Sequence, residues 1–236
     1  MSDDLAIPAF LDRTKQRPFI WTFSNLNCYD SVCGYQFYRR YIKKDLGPFV
    51  ESPAIKEGNA IHTAFELRVG GGKVLPDSMR QWEHFATPFD ALPAVEVEMK
   101  LGVTADGKPT GFFDSDVAGR GKADVVVINE NKAGIWDWKG GANSKYEKPF
   151  ELEIHALMLK IKHPQLDTIV GSYVWLKENR MSQPYDLSDF NSTWARVNNI
   201  VEAIKNDMAD EQFEKRKGPL CGFCDVLDCE NNRKGK

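Results

Sequence analysis

Two short runs rich in apolar and β-branched residues, Lys122–Ile128 and Gly134–Trp138, flank the polar stretch Asn129, Glu130, Asn131 and Lys132. That layout predicts an antiparallel hairpin. It constrains the chain strongly, because side chains along a strand alternate between two faces. With 129–132 as the loop, Ile128 faces Ala133, and counting outward sets Asp124 directly opposite Asp137. Asp137 and Lys139 then share one face, and Trp136 and Trp138 the other. Opposed positions have Cβ atoms about 4.5–5.5 Å apart, so two carboxylates there repel. A divalent cation between them removes the repulsion, and oxygen ligands suit magnesium or manganese. A slip of one residue in register would put the two acids on opposite faces.

The flanking sequence predicts an α/β fold around that hairpin. Leu26, Tyr29, Cys33, Phe37 and Tyr41 recur at helical spacing, with Gly34 as a break point. A second helix is expected over 54–69, packing through Ile55, Ile61, Ala64, Phe65 and Leu67 and ended by Gly70, Gly71 and Gly72. A short helix is expected over Asp77–Phe85. Val95, Val97, Met99 and Leu101 alternate with Glu96, Glu98 and Lys100, a strand pattern, and Gly111–Val117 reads as another strand. Residues 150–162 are expected to be helical, stopped by His163 and Pro164. Ile169–Leu176 is expected to be a strand and 188–208 a helix. Helices, then strands, then helix, strand and helix indicate one α/β domain with a mixed central sheet over 21–236, preceded by a lead-in at 1–20.

Composition adds exclusions. No stretch approaches the roughly 18–20 apolar residues of a membrane span, and Met1–Phe10 holds two acidic residues rather than a basic start and apolar run. The expected location is therefore cytoplasmic, with no membrane partner. The formal net charge of −3 lacks the basic surplus common in nucleic-acid binders. Basic residues do group at Arg39, Arg40, Lys43 and Lys44, and again at Lys215, Arg216 and Lys217. These groups are read either as phosphate contacts or as solvated surface. Five cysteines without a secretory context argue against a disulfide framework. Cys221, Cys224 and Cys229 are spaced as ligands of zinc or an iron–sulfur cluster, and either Cys28 or Cys33 would complete the set.

Several segments in order resemble the RecB-like branch of the PD-(D/E)xK nucleases. Gly58 and His62 match its Gly-x-x-x-His helix, Val95 to Glu98 its acidic strand, Gly121 and Asp124 its Gly-x-x-Asp, and Asp137-Trp138-Lys139 its Asp-Tyr-Lys. Glu151 and His155 stand where that family carries Gln and Tyr. The resemblance implies a restriction-endonuclease-like core flanked by helices. It implies His62, Asp124 and Asp137 as metal ligands and Lys139 as the catalytic lysine, with Glu151 beside them. The early Cys33, followed by an aromatic and basic stretch from Tyr35 to Tyr41, is similar to the iron–sulfur subset of these nucleases. That likeness implies a 4Fe-4S cluster on Cys33, Cys221, Cys224 and Cys229, with zinc as the alternative, tying the two ends of the chain together. The expected activity is Mg- or Mn-dependent hydrolysis of DNA. It is expected to act on single strands or ends, as an exonuclease in recombination, repair or phage DNA processing. No Gly-x-x-x-x-Gly-Lys-Ser/Thr motif is present, so unwinding would fall to a helicase or recombination partner. The alternative reading is a non-catalytic nucleic-acid-binding or assembly module with the same fold.

Overall fold

The computed structural model describes residues 19–48, 50–142 and 144–234; most of the expected 1–20 lead-in lies outside them. Thr22 starts the first helix: its hydroxyl accepts the Asn25 N–H while the Asn25 side chain accepts the Thr22 N–H, a reciprocal cap. This α1 (Phe23–Asn27) continues as a π-helical turn to Val32. Cys33 then takes an extended conformation and breaks the run, one residue before the expected point. α2 (Gly34–Phe37) follows and winds on through Lys43. α3 (Pro53–Gly71) is capped by Ser52 and closed by Gly72 in the left-handed conformation at φ 65°, where glycine carries no Cβ penalty. Ile61 and Phe65 are buried on it, but Ile55 and Leu67 are exposed. The helix lies over the sheet along a narrower stripe than expected, and Arg68 takes up the buried edge. Arg68 pairs with Asp90 at 2.7 Å and with Glu83, clamping α3 to the segment that holds 3-10 turns and the short α4 (Glu83–Ala86).

The strands are β1 (Val95–Thr104), β2 (Pro109–Thr110), β3 (Val117–Asn129), β4 (Lys132–Lys139), β5 (Thr168–Trp175), β6 (Arg180–Met181) and β7 (Tyr185–Asp186). They form one sheet in the order β2-β1-β3-β4-β5-β6, with β7 also on β5. Only β4 and β5 run parallel, and α5 (Phe150–Lys162) makes the crossover between them, as parallel neighbours require. α6 (Phe190–Asp210) completes the fold. One face packs Phe150, Leu152, Leu159, Val197, Ile200 and Ile204 against the sheet. The other packs Ile61, Phe65, Trp82, Phe89 and Trp138.

Three differences from the sequence reading have physical causes. The β3–β4 loop is two residues, not four: Asn129 pairs with Lys132, and Glu130 turns the chain in the left-handed conformation at φ 55°. Residues 111–116 form a turn rather than a strand, and Val117 opens β3. The Asp114 N–H donates to the Gly111 carbonyl at 3.1 Å, and the Asp114 carboxylate accepts the Gly111 N–H at 2.9 Å. The third concerns β1. Val95 and Val97 pack on the α3 side, whereas Met99 and Leu101 pack on the α5 side. The alternation is reset at Glu98, which sits in the left-handed region at φ 52°.

Gly121 lets α5 approach β3. A Cβ there would stand 2.7 Å from Met158 Sδ and 3.0 Å from His155 Cδ2. Gly121→Val is expected to destabilise the fold by about 1–3 kcal/mol through overpacking, read as a lower urea midpoint with unchanged slope. Unchanged stability would contradict this close approach.

Candidate active site

The β3–β4 register runs in phase through Ile128 with Ala133 and Val125 with Trp136. One further step brings Asp124 beside Asp137, but the ladder stops there. The Trp138 N–H donates instead to Asp124 Oδ2 at 2.9 Å. The Trp138 ring lies on the opposite face, 4.3 Å between centroids from Phe65, so the side chain anchoring β4 to α3 also fixes which way Asp137 and Lys139 project. Both acids are buried.

His62 on α3, Glu98 on β1, Asp124 on β3, Asp137 and Lys139 on β4 and Glu151 on α5 line one cavity of about 430 Å³, together with Asn59, Thr63, Glu66 and Lys122. They come from α3, three strands and α5, and the sheet order places β1, β3 and β4 side by side. His62 Nδ1 lies 3.1 Å from Asp124 Oδ1. Burial lowers the His62 pKa, but the hydrogen bond and charge of Asp124 outweigh it and hold the imidazole above its ordinary value. Burial raises Asp124, and the hydrogen bond and charge of His62 more than reverse this, leaving it below the usual carboxylate range. Lys139 Nζ is 2.6 Å from Glu151 Oε2 and 2.8 Å from Asp137 Oδ2. Burial works against its charge, but the two carboxylates hold it protonated. Burial pushes Asp137 well above the carboxylate range, Lys139 pulls it down, and Glu151 and Asp124 push it up again. Asp137 Oδ2 is buried, and no contact to it meets hydrogen-bond geometry.

These residues fit a divalent cation. Among the described residues, His62, Glu98 and Asp124 bring one ligating atom each within 4.8 Å of one another. Opposite oxygens around one magnesium stand roughly 4.2 Å apart, so small side-chain adjustments would close the set. Asp137 lines the same cavity, with its Oδ2 2.8 Å from the Lys139 ammonium. The sequence pointed to His62, Asp124 and Asp137 as metal ligands and offered Glu98 only as part of an acidic strand. The missing signal was the reset at Glu98, which simple alternation hides. His155, one turn after Glu151, is buried against Gly121 and does not line the cavity; burial holds it neutral. Asp114 and Asp116 bind Thr110 and also lie outside the cavity lining.

A second cluster forms at the chain ends. Cys33, Cys221, Cys224 and Cys229 line one cavity of about 100 Å³. Cys28 instead belongs to the core, where burial pushes its thiol up to about 11. The ends are also joined by charge. Arg39 pairs with Asp45 at 2.6 Å and Asp228 at 2.9 Å, and Arg40 with Asp225 at 2.7 Å. Lys43 pairs with Asp45, and Lys215 with Glu230. Arg216 donates to the carbonyls of Tyr29 and Asp30. Most of the two basic groups is thus engaged within the protein, and Arg39 is buried. The aspartates interleaved with the tail cysteines were the readable signal for this.

No helix of the described residues is long and apolar enough to cross a membrane. No curated protein matches the chain. Among solved structures, "Crystal structure of SSO0001" superposes with a TM-score of 0.53 at 14% identity, covering 92% of this chain and 89% of that one. The structure named "Putative exonuclease" from Eubacterium rectale superposes at 0.54 and 10% identity, covering 100% and 94%. At such identities the likeness is one of fold. The family description "PD-(D/E)XK nuclease superfamily" matches residues 20–229, nearly the whole chain. The chain therefore belongs to the PD-(D/E)XK nuclease superfamily.

Proposed function

We propose that the protein is a metal-dependent deoxyribonuclease that hydrolyses phosphodiester bonds in DNA, acting as an exonuclease on single strands or ends. The observation that carries this reading is the convergence of His62, Glu98 and Asp124 within 4.8 Å in the cavity that also holds Asp137, Lys139 and Glu151. A bound Mg²⁺ or Mn²⁺ would activate a water and neutralise the departing oxygen. His62, Glu98, Asp124 and Asp137 would hold it. Lys139, kept cationic between Asp137 and Glu151, would face the charge that develops on the phosphate. Glu151 fixes the ammonium at 2.6 Å and so orients it. The exonuclease name of the Eubacterium rectale structure agrees with this reading.

Digestion of strands labelled at either end tests it. The native protein should shorten labelled DNA with Mg²⁺ or Mn²⁺ and stop on chelation. Asp124→Asn and Lys139→Met should each lower the rate by about 10²–10³-fold, the scale of losing one electrostatic contact to a transition state, with the thermal melt retained. Undiminished digestion by both folded variants would remove the site assignment.

The four-thiol cavity is proposed to hold a 4Fe-4S cluster on Cys33, Cys221, Cys224 and Cys229. Zinc, with sulfurs at about 2.3 Å from the metal, would gather its ligands within roughly 3.8 Å of one another. The support for a metal group here is that all four thiols line one cavity, and the experiment below separates a cluster from zinc. The Gly218 N–H already donates to Cys221 Sγ at 3.4 Å. Purified without oxygen, the protein should be brown and contain iron and sulfide. Cys33→Ser should lose the colour, and Cys28→Ser should keep it if folded. A colourless, zinc-containing protein would contradict the cluster.

A further inference from the structure

A strip of β1 and β3 leads away from the active-site cavity. Lys122 lines the cavity and is ion-paired with Glu98. Directly opposite Lys122 lies Lys100, and one step further out Arg120 stands opposite Gly102. Met99 and Leu101 face the α5 core, so Lys100 projects from the other face, where it is exposed. Alternate strand positions advance by about 6.8 Å. The strip therefore presents positive charges at regular intervals from the cavity outward.

The turn from Gly111 to Asp114 carries Phe112 and Phe113 over the far end of this strip. Their rings meet edge to face at 5.0 Å. Lys100 Nζ lies 5.4 Å from the Phe113 ring, and the Arg120 guanidinium lies 5.3 Å from Phe112 and 5.7 Å from Phe113. Among the described residues no carboxylate forms an ion pair with Lys100 or Arg120 within 4.0 Å. Arg120 Nε is buried without a hydrogen-bond partner. The nearby acids are otherwise occupied: Asp106 binds Lys108, and Asp114 and Asp116 bind Thr110 and the Gly111 N–H. Phe113 remains 74% exposed, a large cost for an aromatic ring that nothing covers.

We infer that Phe113, Lys100 and Arg120 form a landing surface for single-stranded nucleic acid, with a base stacking on Phe113 and the backbone phosphates crossing Lys100 and Arg120 toward the cavity. An exposed aromatic beside unpaired cations is the combination that single strands bind. A duplex keeps its bases stacked inside and offers none to Phe113. The strip ends at the cavity that the nuclease reading occupies, so its purpose rests on that reading, while its test does not.

Fluorescence anisotropy of a short labelled oligothymidylate, with EDTA present and at low salt, measures the contact without cleavage. Phe113→Ala should weaken single-strand binding about tenfold and leave duplex binding unchanged, and Phe113→Trp should restore it. Lys100→Ala should lower the slope of log affinity against log salt by about 0.7. Both positions are exposed, so the variants should fold. Unchanged single-strand affinity in both variants, or an equal loss for duplex, would overturn the inference. Loss of digestion with these binding effects intact would count against the nuclease reading alone.

Discussion

The crowding of acidic groups around a half-buried ammonium governs this molecule. Asp137 and Asp124 are buried side by side, and Lys139 bridges Asp137 to Glu151 at the cavity wall. Charges taken out of water cost several kcal/mol each unless they are paired. Lys139 is shared between Asp137 and Glu151, and Asp124 rests on His62 and the Trp138 N–H, so acidic groups outnumber the cations beside them. The rest of the structure maintains that crowding. The β3–β4 register delivers the two aspartates, Trp138 locks β4 against α3, and Gly121 admits α5 closely enough for Glu151 to reach Lys139. A divalent cation would offset such an imbalance, and it would then lie next to the Lys139 ammonium, which could meet a phosphate.

The reset of alternation in β1 serves the same end. A non-glycine residue in the left-handed region costs about 1–3 kcal/mol. At Glu98 this strained backbone turns a strand residue toward His62 and Asp124. It also moves the following residues onto new faces, so Met99 and Leu101 fill the α5 core while Lys100 emerges beside Lys122. One irregular residue thus separates the part of the strand that builds the site from the part that leads out of it.

The sequence revealed what depends on regular periodicity. Strand parity set Asp124 beside Asp137 and Lys139, and the β3–β4 register runs in that phase as far as Val125 and Trp136 although the turn is two residues shorter than expected, because the loop shrank symmetrically. The limits of α5 were legible from Pro164 and the apolar spacing. Cys33 was separated from Cys28 only by resemblance, and the structure sets Cys33 in the thiol cavity and Cys28 in the core. What periodicity does not encode was missed. Glu98 depends on a local reversal. The 111–116 turn depends on one carboxylate capping one amide. The two-residue strands β6 and β7 are too short to carry a pattern. The basic groups around Arg39 and Arg216 looked like candidate phosphate contacts because the partners that join the two ends lie 185–189 positions away in the chain.

The central claim is that a divalent cation settles the charge among His62, Glu98 and Asp124. Calorimetric titration of the purified protein with Mn²⁺ measures it directly. Saturable binding is expected, weakening sharply when Asp124 or Glu98 is changed to its amide. Absence of Mn²⁺ binding, or binding indifferent to both changes, would contradict it.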